Sequence, residues 1–169
     1  DQVTPEQRSS AKAVNFGIIY GMSAFSLSDD LGITTKEAAE YIDKYFAQYP
    51  SVKDFLDGCV ASAKEKGYGE TLFGRRRNIE ELKASNFNQR SFGERVAKNM
   101  PIQGSAADII KVAMARIYQR FQSNNLKAKM ILQVHDELNF SVPTAEKELV
   151  QNIVIEEMEN AYRMHVPLR

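Results

Sequence analysis

Four side chains near the start of the chain, Arg8, Lys12, Phe16 and Tyr20, recur at four-residue steps. On a helix, successive members drift by about 40° and share one broad face over roughly 18 Å of rise. The opposite face carries Ala11, Val14 and Ile18, which can pack on a core. The two cations fall in the N-terminal half, where the macrodipole disfavours positive charge unless an anion is present. Phosphates would meet the cations, and a base or sugar would meet an aromatic ring. That is the layout of a nucleotide. The plainer reading puts Phe16 and Tyr20 in a core and leaves the cations in solvent, and spacing alone leaves both open.

A second constellation is His135-Asp136-Glu137. Apolar residues occupy the even positions around it (Met130, Leu132, Val134, Leu138, Phe140 and Val142), and polar residues lie between them. If that face continues through the break, Asp136 lies beside buried surface, where a carboxylate is costly without a cation or donor. Adjacent acids near a turn can hold Mg²⁺, which prefers oxygen ligands and keeps waters. A polar turn in solvent is the alternative, since turns favour Asp.

The third is a local basic stretch. From Gly74 to Lys98, seven basic residues face three acidic ones: Arg75, Arg76, Arg77, Lys83, Arg90, Arg95 and Lys98 against Glu80, Glu81 and Glu94. Asn99 and Gln103 continue a four-residue row from Arg95. Such a row can follow phosphates or a minor groove, or it can be a solvated helix face.

These residues need elements to position them. Thr4-Pro5-Glu6-Gln7 has capping-box spacing and predicts a helix to about Tyr20, stopped by Gly21. A short helix over Ala24 to Leu31 follows. Thr34 or Thr35 then caps an amphipathic helix with Ala38, Tyr41, Ile42, Tyr45 and Phe46 at helical spacing, closed by Pro50. Another runs from about Val52 to Lys66. Tyr68 to Ile79 reads as a hairpin or loop. A long helix is expected from about Ser91 to Ser123, with Ile102, Ala106, Ile109, Ala113, Ile117 and Phe121 on one stripe and a kink at Pro101 and Gly104. Fifteen residues from Lys129 to Pro143 are long for one strand, so the period-two segment predicts two strands joined by a tight turn. A last helix is expected from about Thr144 to Arg163. The fold class is α+β, helix-rich, with a small antiparallel sheet element.

Composition bounds the rest. The chain has 169 residues, 22 Lys and Arg against 22 Asp and Glu, 43% hydrophobic residues, one Cys and two His. This is enough for one domain or two small ones. A lone Cys59 excludes an internal disulfide and, with so few His, makes a structural zinc site a poor fit. No apolar run can span a bilayer, and no signal peptide is visible. The expected compartment is reducing and cytoplasmic. Charge is balanced, so any nucleic-acid footprint must be local.

Taken in order, three segments resemble family A DNA polymerases of the bacterial DNA polymerase I type. Arg8-Ser-Ser-Ala-Lys12-Ala-Val-Asn15-Phe16-Gly17-Ile-Ile-Tyr20-Gly21 is similar to that family's fingers-helix motif. Val134-His135-Asp136-Glu137 resembles its palm motif, and Met100-Pro-Ile-Gln103-Gly104-Ser-Ala-Ala-Asp108-Ile-Ile resembles the segment between them. The resemblance covers essentially the whole chain.

It implies fingers over residues 1–84 and a partial palm over 85–169. Arg8 and Lys12 would grip the incoming deoxynucleoside triphosphate, with Lys12 also placed to protonate the leaving pyrophosphate. Phe16 would lie against the sugar and Tyr20 would close the pocket over the nascent base pair. Asp136 would be a catalytic metal ligand supported by Glu137, and His135 would lie near the primer terminus. Arg95, Asn99 and Gln103 would track primer-template DNA. The implied chemistry is nucleotidyl transfer with two Mg²⁺ ions.

Two departures stand out. Arg8 is followed by Ser9 where the family often has a second basic residue. The family's Asp-x-Ser-x-x-Glu-x-Arg palm strand has no counterpart here, and its final strand and thumb are also expected to be missing. The isolated chain is therefore expected to be inactive, and the unpaired palm edge is a route to self-association. Two alternatives lie in other classes. A nucleic-acid-binding module without catalysis would bind DNA through Arg95 and the triple Arg, indifferent to Lys12 and Asp136. A phosphoesterase using Asp136 and Glu137 would hydrolyse DNA with Mg²⁺.

Overall fold

Capping chemistry sets the first helices. In a computed structural model describing residues 3–168, Thr4 Oγ1 accepts the Gln7 N–H at 3.2 Å and Gln7 Oε1 accepts the Thr4 N–H at 3.0 Å. This closes the expected box at the head of α1 (Pro5–Ile19). The outermost residues of the expected subdomains, 1, 2 and 169, lie outside the described residues. Ser23 caps α2 (Ala24–Leu31), and Thr34 with Glu37 forms a second capping box on α3 (Thr35–Gln48). Pro50, expected to close α3, instead begins α4 (Pro50–Lys66), where its missing N–H costs nothing in the first turn.

The Tyr68 to Ile79 segment is a short antiparallel hairpin of β1 (Tyr68–Glu70) and β2 (Arg76–Asn78), with Gly69 opposite Arg77. A 3₁₀ turn over Glu80–Lys83 follows. Asn86 Oδ1 then accepts the N–H groups of Asn88 and Gln89, so α5 (Phe87–Asn99) starts earlier than the apolar pattern predicts.

The long helix expected from Ser91 to Ser123 is two helices. Between α5 and α6 (Ser105–Ser123) lies a π-helical turn over Met100–Gly104. Pro101 has no N–H to give, and its ring would strike the carbonyl four residues back in an unbroken α-helix. The wider turn relieves both problems, and such turns recur at functional positions. It also resets the helical phase. Within α6, Ala113, Ile117 and Phe121 from the expected stripe are buried, whereas Ala106 in the first turn is exposed.

Two compact units result, one ending at Ser105 and one beginning at Ala106. The first is centred on Ala63, Ile79, Leu82, Val96 and Ala97, where α4 and α5 meet the segment between them. An ion pair from Lys64 to Glu94 at 2.6 Å ties the same two helices at the surface. The second holds Ile117 and Phe121 of α6 against Ala128 and against Val150 and Ile153 of α7 (Lys147–Glu159). Arg120 reaches Glu157 at 2.8 Å and Glu156 at 3.2 Å across these helices. The last helix is shorter than expected, because Thr144–Glu146 form a 3₁₀ turn before it and Asn160 caps its end.

The strands expected between Lys129 and Pro143 are β3 (Lys129–Val134) and β4 (Glu137–Ser141), paired antiparallel. The pairing steps from Met130–Phe140 to Leu132–Asn139, so Ile131 is a bulge. A bulge shifts the side-chain alternation by one. Met130 and Phe140 pack on the core as the period predicts, but Leu132 is 56% exposed and Val134 43%.

Candidate functional site

Helix α1 buries Ile18 and Gly17 and leaves Arg8 and Lys12 in solvent. Phe16 is 48% exposed, so it is not a core residue, while Tyr20 is half-buried. Lys12, Phe16 and Tyr20 are contiguous in space. Lys12 Nζ lies 5.8 Å from the Phe16 ring centroid, and the Phe16 and Tyr20 rings are 5.9 Å apart at 35°. A cation beside an open aromatic face can meet a phosphate while the ring meets a sugar or base.

Tyr20 also lines a groove of about 470 Å³ with Arg95 and Asn99 of α5. Arg95 is braced there, its guanidinium donating to Ser91 Oγ at 3.1 Å and lying 5.8 Å from the Phe92 ring centroid. Asn99 and Gln103 border a second groove of about 360 Å³, together with Arg77. The three row residues thus split between two grooves that share Asn99, because the π-turn rotates Gln103 away from the α-helical row. Among the described residues, Asn99 Oδ1 is a buried side-chain oxygen with no donor. Leaving such an acceptor unmet costs about 1–3 kcal/mol, which a donor on a bound molecule would offset.

In the second unit, the β3–β4 turn consists of His135 and Asp136, between the paired Val134 and Glu137. His135 takes a left-handed φ of 53°, and the Gln133 side-chain amide donates to its carbonyl at 3.0 Å. His135, Asp136 and Glu137 are all exposed. Asp136 stands at the edge of a cavity of about 280 Å³ lined by Ile109 and Ile110 of α6 and Met158 of α7. The buried placement that an unbroken even-numbered face would give Asp136 is therefore not adopted, since the bulge and the turn carry it outward.

Two open carboxylates suit Mg²⁺, which binds through one or two such groups and completes its shell with water and phosphate oxygens. No group of three or more His, Cys, Asp or Glu that could cage a metal occurs among the described residues. Arg8, Lys12, Phe16, Tyr20, Arg95, Asn99 and Gln103 belong to the first unit, and the acidic turn belongs to the second.

Sequence reasoning passed over Arg77 as a groove residue and Gln133 as the brace of the turn. The first was visible only as one of three arginines. The second had a faint signal, a Gln two residues before a turn position that takes positive φ.

The sequence profile of DNA polymerase family A matches residues 1–169. DNA polymerase I of Caldicellulosiruptor bescii is 56% identical over 98% of the chain, and that of Bacillus subtilis 52% identical over all of it. The chain spans 20% and 19% of those two proteins. A solved structure, the POL domain of Pol1 from M. smegmatis in complex with DNA primer-template and dNTP, superposes with a TM-score of 0.95. It is 46% identical, and the match covers the whole chain and 30% of that one. No helix is long and apolar enough to cross a membrane among the described residues. With the profile spanning both units, the cation–aromatic helix and the acidic turn are parts of one inheritance, and the chain belongs to DNA polymerase family A.

Proposed function

We propose that this chain supplies the nucleotide-gripping helix and one metal-binding turn of a template-directed DNA polymerase acting in DNA replication and repair in the cytoplasm. Residues 1–84 would serve as fingers and 85–169 as part of the palm. The observation that carries this reading is the exposed α1 face, where Lys12 sits over Phe16 and Phe16 beside Tyr20. A core helix would bury the ring.

Arg8 and Lys12 hold the triphosphate of the incoming deoxynucleotide, and their charge offsets the charge it accumulates as the bond to the leaving group breaks. Lys12 carries a proton that the departing pyrophosphate can take. Phe16 packs on the sugar, so its size and lack of a hydroxyl set which sugars are accepted. Tyr20 closes on the new base pair. Arg95, Asn99 and Gln103 hold primer and template in register, and His135 lies near the primer terminus. Asp136, with Glu137 beside it, would hold Mg²⁺. When bound, the metal lowers the pKa of the primer 3′-hydroxyl and stabilises the in-line phosphoryl transfer.

The test is a titration of this chain with Mg²⁺–deoxynucleoside triphosphate beside Lys12→Ala. The variant should bind about tenfold to a hundredfold more weakly, the 1.5–3 kcal/mol typical of a charge-assisted contact. Equal binding by both proteins would place the nucleotide elsewhere and refute the assignment of α1.

A further inference from the structure

The segment between β1 and β2 leads three consecutive cations, Arg75, Arg76 and Arg77, out into solvent. Leu72 is 56% and Phe73 39% exposed, and two buried hydroxyls anchor the backbone beside them. Thr71, 6% exposed, accepts the N–H groups of Phe73 and Arg75 at its Oγ1, each at 3.2 Å. Ser105, 3% exposed, accepts the Leu72 N–H at 2.9 Å. The Thr71 N–H donates to the Arg75 carbonyl and the Gly74 N–H to the Thr71 carbonyl, both at 3.0 Å. Every backbone N–H from residue 71 to residue 75 therefore has an acceptor, and three of the five bonds end on the two side-chain hydroxyls.

The anchor is seated tightly. A Cβ on Gly104 would lie 2.7 Å from Thr71 Cγ2, so only glycine lets the π-turn approach this threonine. Gly104 also borders the 360 Å³ groove that holds Arg77, Asn99 and Gln103. The hydroxyls thus fix the backbone that leads into the groove without themselves lining it. Adjacent guanidiniums repel one another. Arg76 and Arg77 lie in β2, Arg76 pairs with Glu70 at 3.4 Å, and the hydroxyls fix the turn that sets the path of this short hairpin.

We propose that Thr71 and Ser105 are positioning residues for a polyanion: they hold the arginine segment in one conformation, so that Arg77 meets a phosphate of DNA lying along the Asn99–Gln103 groove. Ordering the loop before binding removes that cost from the association step, and phosphate contacts of this kind set register without reading sequence. The inference rests on the DNA-polymerase reading above.

The experiment measures binding of a labelled primer-template duplex to the chain by fluorescence anisotropy at several NaCl concentrations, alongside the Mg²⁺–deoxynucleoside triphosphate titration. Thr71→Val keeps the shape and removes the acceptor, Ser105→Ala removes the other, and Thr71→Ser restores a hydroxyl. Thr71→Val and Ser105→Ala should each weaken DNA binding about three- to tenfold, with a log–log salt slope shallower by about one. Thr71→Ser should bind like the parent, and triphosphate affinity should be unchanged in all three. DNA affinity within twofold of the parent in both hydroxyl-deficient variants, with thermal stability lowered, would make the hydroxyls purely structural and overturn the proposal. Equal losses of DNA and triphosphate binding would overturn it as well. If Thr71→Val does not fold, Ser105→Ala decides alone. Arg77→Ala separates the two levels of inference. If it weakens DNA binding while the hydroxyl variants do not, only the positioning role fails. If it has no effect, or the parent chain binds no duplex, DNA does not lie in this groove and the polymerase reading of this surface fails with the proposal.

Discussion

His135 is held at a φ of 53° at the first position of a two-residue hairpin turn, where glycine is the usual occupant. A non-glycine residue in that region costs of order 1–3 kcal/mol and persists only where its surroundings over-determine it. The Gln133 amide bonded to the His135 carbonyl is one such constraint. His135→Gly should therefore be neutral or about 1 kcal/mol more stable in urea unfolding, whereas the β-branched His135→Val should lose about 1–3 kcal/mol. Identical midpoints for the two variants would show that the turn is not strained. The identity of this residue and of its acidic neighbours was legible from the sequence, and so was a tight turn. Its handedness was not, because the bulge at Ile131 moves Leu132 and Val134 off the apolar face that seemed to define it.

The helices illustrate which elements local chemistry can specify. The Thr4–Gln7 box was readable from spacing because it needs only four residues to close, and Thr34 was one of two candidate caps for α3. On α3, the Thr34 hydroxyl donates to the Glu37 carboxylate at 2.7 Å and the Thr34 N–H donates at 2.9 Å. Those two bonds, the hydroxyl's first, hold the Glu37 carboxyl below its ordinary value of 4.5. The folded pKa is the lower one, so the contribution is complete above that ordinary value and is lost as pH falls through the folded pKa. Glu37→Gln keeps an acceptor but cannot titrate. It should flatten the acid limb of α3 protection in hydrogen exchange, and an unchanged limb would place the effect elsewhere. Thr34→Ala should cost about 1 kcal/mol at neutral pH. The π-turn was not legible in the same way. Pro101 and Gly104 announced an interruption, but whether a helix bends, breaks or widens there depends on what packs against it. Here Gly69 and Thr71 approach the turn, with a Cβ on Gly69 reaching 3.0 Å from Met100 Cβ.

Each of the two units has its own buried cluster, and a substitution in one should be felt there first. Ile117 is fully buried in the second unit. Ile117→Ala should lower protection of amides in α6, α7 and the β3–β4 hairpin by about 2–5 kcal/mol. Protection in α3 and α4 should hold, and a loss spread evenly through both units would show that they unfold as one body. At this scale the sequence carried the family through three ordered motifs. It could not divide the chain at Ser105, because a continuous run of helical residues hides the place where one packing arrangement gives way to another. The motif residues were readable for the same reason that the grooves were not. Chemistry at a position is written in one side chain, while a groove is written in the backbone path of several elements.

The π-turn over Met100–Gly104 also bears on how this stretch of chain can change length. Each α-helical residue advances the rotation by about 100°, so deleting one residue here would restore a regular turn and swing everything downstream to a different azimuth. Ser105 would leave the Leu72 N–H and Gln103 would leave Arg77, although no side chain had been altered. An exchange at residue 104 meets Thr71 directly, whereas an insertion or deletion is transmitted along α6. The segment is therefore constrained in residue count as well as in the identity of residue 104.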